Sequence, residues 1–212
     1  MRGTLKIALI AAPAATAIVL AACATYPAAP PNAEIAQRAA AMMKRDFAKL
    51  GPEWVARIDQ DETQSSCTAY RDAPPPEVAA KIQATQLATI RFPASGRLIG
   101  DWKKGAAIAA LARGLQFSDA PGDPAGGNCY ACHQLSTAEI AYGNIGPGLH
   151  DFGKLRGNSE DIARYTYGKI YNAEAYAACS NMPRFGHNKI LTPEQIADVV
   201  ALLLDPASPV NQ

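Results

Sequence analysis

Charge of one sign is what this chain most lacks: its 212 residues hold 20 Lys and Arg against 19 Asp and Glu, a formal net charge of +1. So even a balance raises no field for a nucleic-acid backbone, and no basic stripe marks a membrane-binding face. Histidine is scarce as well, with three in all. No second Cys or His cluster stands at finger spacing, which counts against a four-ligand structural zinc. Long apolar runs are missing too, since the one from Ile7 to Ala22 is too short and too rich in alanine for a transmembrane anchor.

That short run has another use. Arg2 and Lys6 precede it, and the combination reads as an export signal over residues 1–22. Leu20-Ala21-Ala22-Cys23 is similar to a bacterial lipobox, with cleavage before Cys23 and lipidation of that cysteine; the rival cut, after Ala24, would release a soluble protein. Either way the expected location is the bacterial periplasm, with contact to the membrane only through lipid on Cys23. Residues 23–32, rich in Pro and Ala, form an extended tether that cannot build a core.

Past the tether, one stretch outweighs the rest: Cys129-Tyr130-Ala131-Cys132-His133. Two thiols two residues apart, followed at once by an imidazole, is the spacing that attaches a c-type haem. Each thiol adds across one vinyl group, and His133 supplies an axial nitrogen to the iron. A redox dithiol remains the competing reading, although it would want a strand–helix–strand setting. Here the flanks, Asp123-Pro124-Ala125-Gly126-Gly127 and Ile145-Gly146-Pro147-Gly148, are loop chemistry.

A single covalent haem c then needs a sixth ligand. Met1 leaves with the signal, and Met42 and Met43 sit on an amphipathic stripe where core packing explains them better. Met182 lies in Asn181-Met182-Pro183-Arg184-Phe185, where Pro183 forbids helix and can present the sulfur to the metal. His150, His187 and Cys179 compete for the same role, the two histidines reading otherwise as surface residues. The backbone carbonyl of Pro147 is the candidate acceptor for the other nitrogen of His133. Arg156 and Arg184 either compensate propionates or are solvated. With Cys23 at the signal junction and two thiols on haem, Cys67 and Cys179 are left over in an oxidising compartment and are expected to form a disulfide. The alternative leaves Cys67 a buried free thiol.

Around these residues the pattern is helical throughout, which predicts an all-α fold. Asn32 caps a first helix with Ile35, Met42, Met43, Phe47 and Leu50 along one side, stopped by Gly51-Pro52. A second follows Pro74-Pro75-Pro76, carrying Val78, Ile82 and Leu87. Residues 33–95 are expected to be an ordered extension, and 96–212 the haem domain. In that domain Asp101 caps a helix with Ala107, Ile108, Leu111 and Leu115, reaching to near Gly114. Ser159 starts another, with Ile162 and Tyr165 inward and Gly168 at its end. Thr192-Pro193-Glu194-Gln195 opens the last, with Ile196, Val199, Val200 and Leu203 as its apolar stripe and Asp205-Pro206 as its stop.

Four pieces of this sequence together support a resemblance: Gly126-Gly127-Asn128-Cys129-Tyr130-Ala131-Cys132-His133, Ile145-Gly146-Pro147, Met182-Pro183-Arg184-Phe185-Gly186, and the ending Leu203-Leu204-Asp205-Pro206 through Ser208-Pro209-Val210-Asn211. They resemble SoxX, the monohaem cytochrome subunit of the SoxAX complex of thiosulfate oxidation, over roughly residues 100–212. The resemblance implies a class I-like cytochrome c domain with an N-terminal helical extension. It also implies a heterodimer with a SoxA-like dihaem or monohaem cytochrome, acting as an L-cysteine S-thiosulfotransferase on a SoxYZ carrier. The sulfur chemistry would belong to the SoxA partner, and this chain would pass electrons to a small cytochrome c. An independent electron shuttle with no obligatory partner is the other function the residues allow.

Overall fold

The computed structural model describes residues 32–212, apart from residues 117 and 121 and the side chain of Glu53. The export signal, Cys23 with its lipidation and residues 23–31 of the tether lie outside the described residues. Every regular element among the described residues is helical, so the architecture is all-α. The chain divides into two compact units, one ending at Ile58 and one running from Asp59 to Gln212.

In the first unit, α1 (Ala33–Phe47) begins where the Asn32 side chain accepts the Glu34 N–H. Glu34 in the first turn and Lys44 and Arg45 in the last complement the helix dipole. A single 3-10 turn, Ala48–Leu50, leads to Gly51, and Pro52 then opens the short α2 (Pro52–Ala56). The apolar stripe of α1 does not form a core. Ile35, Met42, Met43, Phe47 and Leu50 are all exposed, and no residue of α1 is buried, because within its unit this helix has only the short α2 to pack on.

The second unit opens with an element that apolar periodicity did not predict. In α3 (Glu62–Tyr70) only Thr63 and Cys67 are buried, so there is almost no stripe to read. Its start is a reciprocal cap: the Asp61 carboxylate accepts the Gln64 N–H at 2.8 Å, and the Gln64 side chain accepts the Asp61 N–H at 3.0 Å. α4 (Pro76–Leu87) starts at the third of the three prolines, burying Ile82 and leaving Leu87 exposed. Both helices belong to the same compact unit as the Cys129–His133 motif.

Four longer or shorter helices complete this unit: α5 (Trp102–Ala110), α6 (Phe152–Arg156), α7 (Glu160–Tyr171) and α8 (Pro193–Leu204). α8 is the centre of the core. Its start is the expected reciprocal cap between Thr192 and Gln195, and Ile196, Ala197 and every residue from Val199 to Leu204 are buried. A helix apolar on all sides must be surrounded. α5 crosses it at Gly105, where a side-chain carbon would overlap the Asp198 carbonyl. The entry to α5 is pinned to the same helix, with Gly100 N–H on the Ala197 carbonyl and Asp101 N–H on the Asp198 carboxylate.

The tail closes the far end of α8. Ser208 Oγ–H donates to the Leu202 carbonyl, and the Asn211 amide donates to the Leu203 and Asp205 carbonyls, satisfying acceptors that a helix end leaves open. Asn211 Oδ1 also accepts Gly153 N–H at 2.8 Å, so one buried side chain terminates α8 and starts α6.

Two helices depart from the expected pattern. α5 ends at Ala110 rather than near Gly114, because the chain after it turns extended at Leu111, whose carbonyl accepts Asn128 N–H as Arg113 accepts Gly126 N–H, while Gly127 N–H takes the Ile108 carbonyl of the helix's own last turn. Leu115, expected on its inner face, is exposed. In α7, Tyr165 points outward and Gly168 lies inside the helix, while Ala163, Thr166, Tyr167 and Ile170 face the core.

Candidate haem site

Cys129–Ala131 make one 3-10 turn, entered through Asn128 in the left-handed region (φ 45°). The N–H groups of Cys132 and His133 both donate to the Cys129 carbonyl, which folds the two thiols and the imidazole together. A second loop is laced alongside: Gly143 N–H donates to the Tyr130 carbonyl, Gly146 N–H to Cys132 and Leu149 N–H to Gln134.

That lacing fixes His133. Its Nδ1 lies 2.7 Å from the Pro147 carbonyl, the acceptor the sequence pointed to. A carbonyl can only accept, so Nδ1 carries the proton and Nε2 keeps its lone pair for a metal. Gly146 lies flat against the imidazole, where any side-chain carbon would overlap the ring. The ring is thus held by a hydrogen bond and by a backbone with no Cβ.

Cys129 and Cys132 are both free thiols. Burial pushes the Cys129 thiol up to about 11, which is the reverse of the depressed thiol a redox dithiol requires. Among the described residues, no cluster of three or more metal-ligating side chains includes either cysteine, so a zinc site has no ligand set here.

Of the three methionines among the described residues, Met182 alone packs against the core cluster, together with Cys129, Tyr130 and Leu149. Its loop reaches the cysteine side through Phe185, whose ring would touch a side-chain carbon at Gly127 at 3.9 Å. Of the competing ligands, Cys179 is bonded to Cys67 and has no thiolate to give. His187 is half-buried, with Nδ1 3.4 Å from Thr89 Oγ1. His150 is half-buried beside Asp151, its Nδ1 3.5 Å from the carboxylate.

Arg184 is not a solvated arginine. It is buried, with Nη2 2.6 Å from Asp61 Oδ2 and Nη1 3.4 Å from Gln86 Oε1. Arg156 is exposed and lies over the Phe152 ring. Sequence reasoning missed the polar network behind Arg184. Gln86 donates to Thr63 Oγ1, and the Asn172 amide donates to Gln86 Oε1 and Thr89 Oγ1, all in the protein interior. Only the Asp61–Gln64 cap was there to be read, because a hydrogen-bond partner far away in the chain leaves no local signal.

Two free thiols on one turn, an imidazole held by its far nitrogen and a thioether on the same core suit a covalently attached haem. Residues 111–205 match the cytochrome c family. The chain carries a cytochrome c domain. This cytochrome carries haem c, and haem electron transfer is its role. Its similarity to known proteins extends beyond the matched domain. Over 157 residues it is 41% identical to a protein of Aquifex aeolicus (strain VF5) described as an uncharacterized lipoprotein, covering 72% of this chain and 73% of the relative.

Proposed function

We propose that this cytochrome is the electron-accepting subunit of a SoxAX-type complex, with Cys129 and Cys132 as the thioether anchors, His133 and Met182 as the iron ligands and Pro147 as the acceptor that holds His133. In that complex thiosulfate is joined to a cysteine of a SoxYZ carrier. Forming the new sulfur–sulfur bond from a thiol and thiosulfate releases two electrons and the thiol proton. The sulfur chemistry takes place on a SoxA-like partner, which makes this chain the electron outlet of a cysteine S-thiosulfotransferase. The electrons leave one at a time to a small cytochrome c.

The observation that carries the reading is the pairing of a nitrogen fixed by Pro147 with the one methionine, among the described residues, on the shared core. Haem c supplies a one-electron change between ferric and ferrous iron. A thioether ligand favours the reduced state, so the chain's own residues make it a good acceptor. With His133 and Met182 both holding the iron, no place would be left for oxygen or peroxide to bind. The Gly126–His133 and Met182–Gly186 stretches and the Ser208–Asn211 tail support the SoxX assignment within the wider family.

A second reading has its own support. The lipobox-like Leu20–Cys23, the Pro/Ala tether of residues 23–32 and the lipoprotein relative favour a periplasmic electron shuttle anchored through lipid on Cys23, with no obligatory partner. Purification of the native protein separates the two. Co-purification with a second haem protein and reduction by thiosulfate in the presence of the carrier support the subunit; a stable monomer indifferent to thiosulfate supports the shuttle. Met182→Ala is expected to lose the weak long-wavelength absorption of ferric iron–thioether coordination and to lower the reduction potential.

A further inference from the structure

The loop that carries Met182 is gripped on both sides by one helix outside the matched domain. We infer that Asp61 and Cys67, at the start and in the body of α3, are positioning residues that hold the Met182 loop against the metal site. The inference rests on the reading of Met182 as the distal ligand.

Apolar packing secures only one side of this loop. Met182 and Phe185 meet the core, but the opposite side forms part of the wall of an open polar cavity of about 350 Å³, with Gln64, Thr68 and Asp72 across from it. Something other than burial must therefore fix the loop. On its N-terminal side Cys179 is bonded to Cys67, and its N–H donates to Glu174 Oε2 at 2.5 Å. Cys179 has φ +60°, a conformation that is unfavourable for a non-glycine residue and persists only where its surroundings impose it. On its C-terminal side Arg184 reaches Asp61 at 2.6 Å.

The two grips are not independent. The Asp61 carboxylate that receives Arg184 also accepts Gln64 N–H, so the group that starts α3 is the group that holds the loop. Cys67 follows in the same helix. α3 thus brackets Met182 through residues 179 and 184, three before it and two after. Gln86, fixed by Thr63 and Asn172, supports the same guanidinium from α4. A neutral thioether is a weak ligand, and whether it stays on the iron depends on how firmly its loop is held. The segment before the matched domain then acts on the electronic properties of the site through ligand retention.

The test uses the ferric holoprotein and compares wild type with Asp61→Asn, Asp61→Glu, Met182→Ala and the paired Cys67→Ser/Cys179→Ser. Asparagine can still cap α3 but offers Arg184 no charge. Guanidinium titrations follow the long-wavelength thioether absorption and the far-ultraviolet helical signal in the same samples, and the reduction potential is measured in buffer. In Asp61→Asn and the paired serine variant, the thioether absorption should vanish at a lower denaturant concentration, well before the helical signal. Their potentials should fall, and Asp61→Glu should recover most of the wild-type behaviour. If the separation between the two transitions and the potential are both unchanged in Asp61→Asn, the inference is overturned, even where the paired serine variant fails to fold. Retention of the absorption by Met182→Ala would instead overturn the ligand assignment beneath it.

Discussion

At the scale of single residues, the site is held by groups that forbid alternatives. Gly146 is one: with no room for a side-chain carbon beside the His133 ring, Gly146→Ala should tilt the imidazole away from Pro147. The expected outcome is a sharp drop in holoprotein yield and a changed ferric spectrum, read by the ratio of haem absorbance to protein. His187 offers a second check. Burial first, and then Arg184, lower its pKa, so the folded protein binds this proton less readily than the unfolded chain, whose histidine titrates at about 6.5. The stability that depends on neutral His187 is present above that value and is lost as pH falls below it. His187→Asn should flatten the fall in guanidinium midpoint between roughly pH 7 and pH 5 relative to wild type. Burial raises the Asp61 carboxyl, but the Gln64 N–H and the Arg184 guanidinium outweigh it, so the net shift is downward and this contribution is lost only at lower pH. The Pro147 contact was legible because it lies in a short motif beside a glycine. Arg184 was not, since its partner is 123 positions away.

At the scale of elements, legibility followed apolar content and capping. α8 could be read almost in full, because a Thr-Pro-Glu-Gln start and a dense apolar run leave little choice. Thr192→Ala should cost about 1 kcal/mol, measured by denaturant unfolding of the holoprotein. The close crossing of α5 and α8 is a stronger constraint. Gly105→Ala must push the helices apart against the Asp198 carbonyl and should cost roughly 1–3 kcal/mol in the same assay. α3 escaped because its face is polar and its burial is confined to Thr63 and Cys67. α7 was found but turned slightly, since Tyr165 and Tyr167 are equally good inward residues by composition, and only Tyr167 has an interior partner for its hydroxyl, the Arg91 carbonyl. The stripe on α1 shows the reverse case: a helical period can be right and its burial still not follow.

At the scale of the molecule, the Cys67–Cys179 bond joins residues 112 positions apart. Closing so long a loop restricts the unfolded chain, and the paired serine substitution should cost roughly 2–4 kcal/mol of global stability, read from the helical transition. The haem chemistry was written locally: thiols, imidazole and their spacing lie within five consecutive residues, so no tertiary information was needed to name the cofactor. The helical class was equally determined, by periodicity and caps. What the amino-acid order could not decide was the work of residues 59–95, which joined the haem unit through Asp61, Cys67 and Gln86. One of those contacts is covalent and the others are polar, all are distant in sequence, and polar pairs acquire their strength only once folding has brought them side by side.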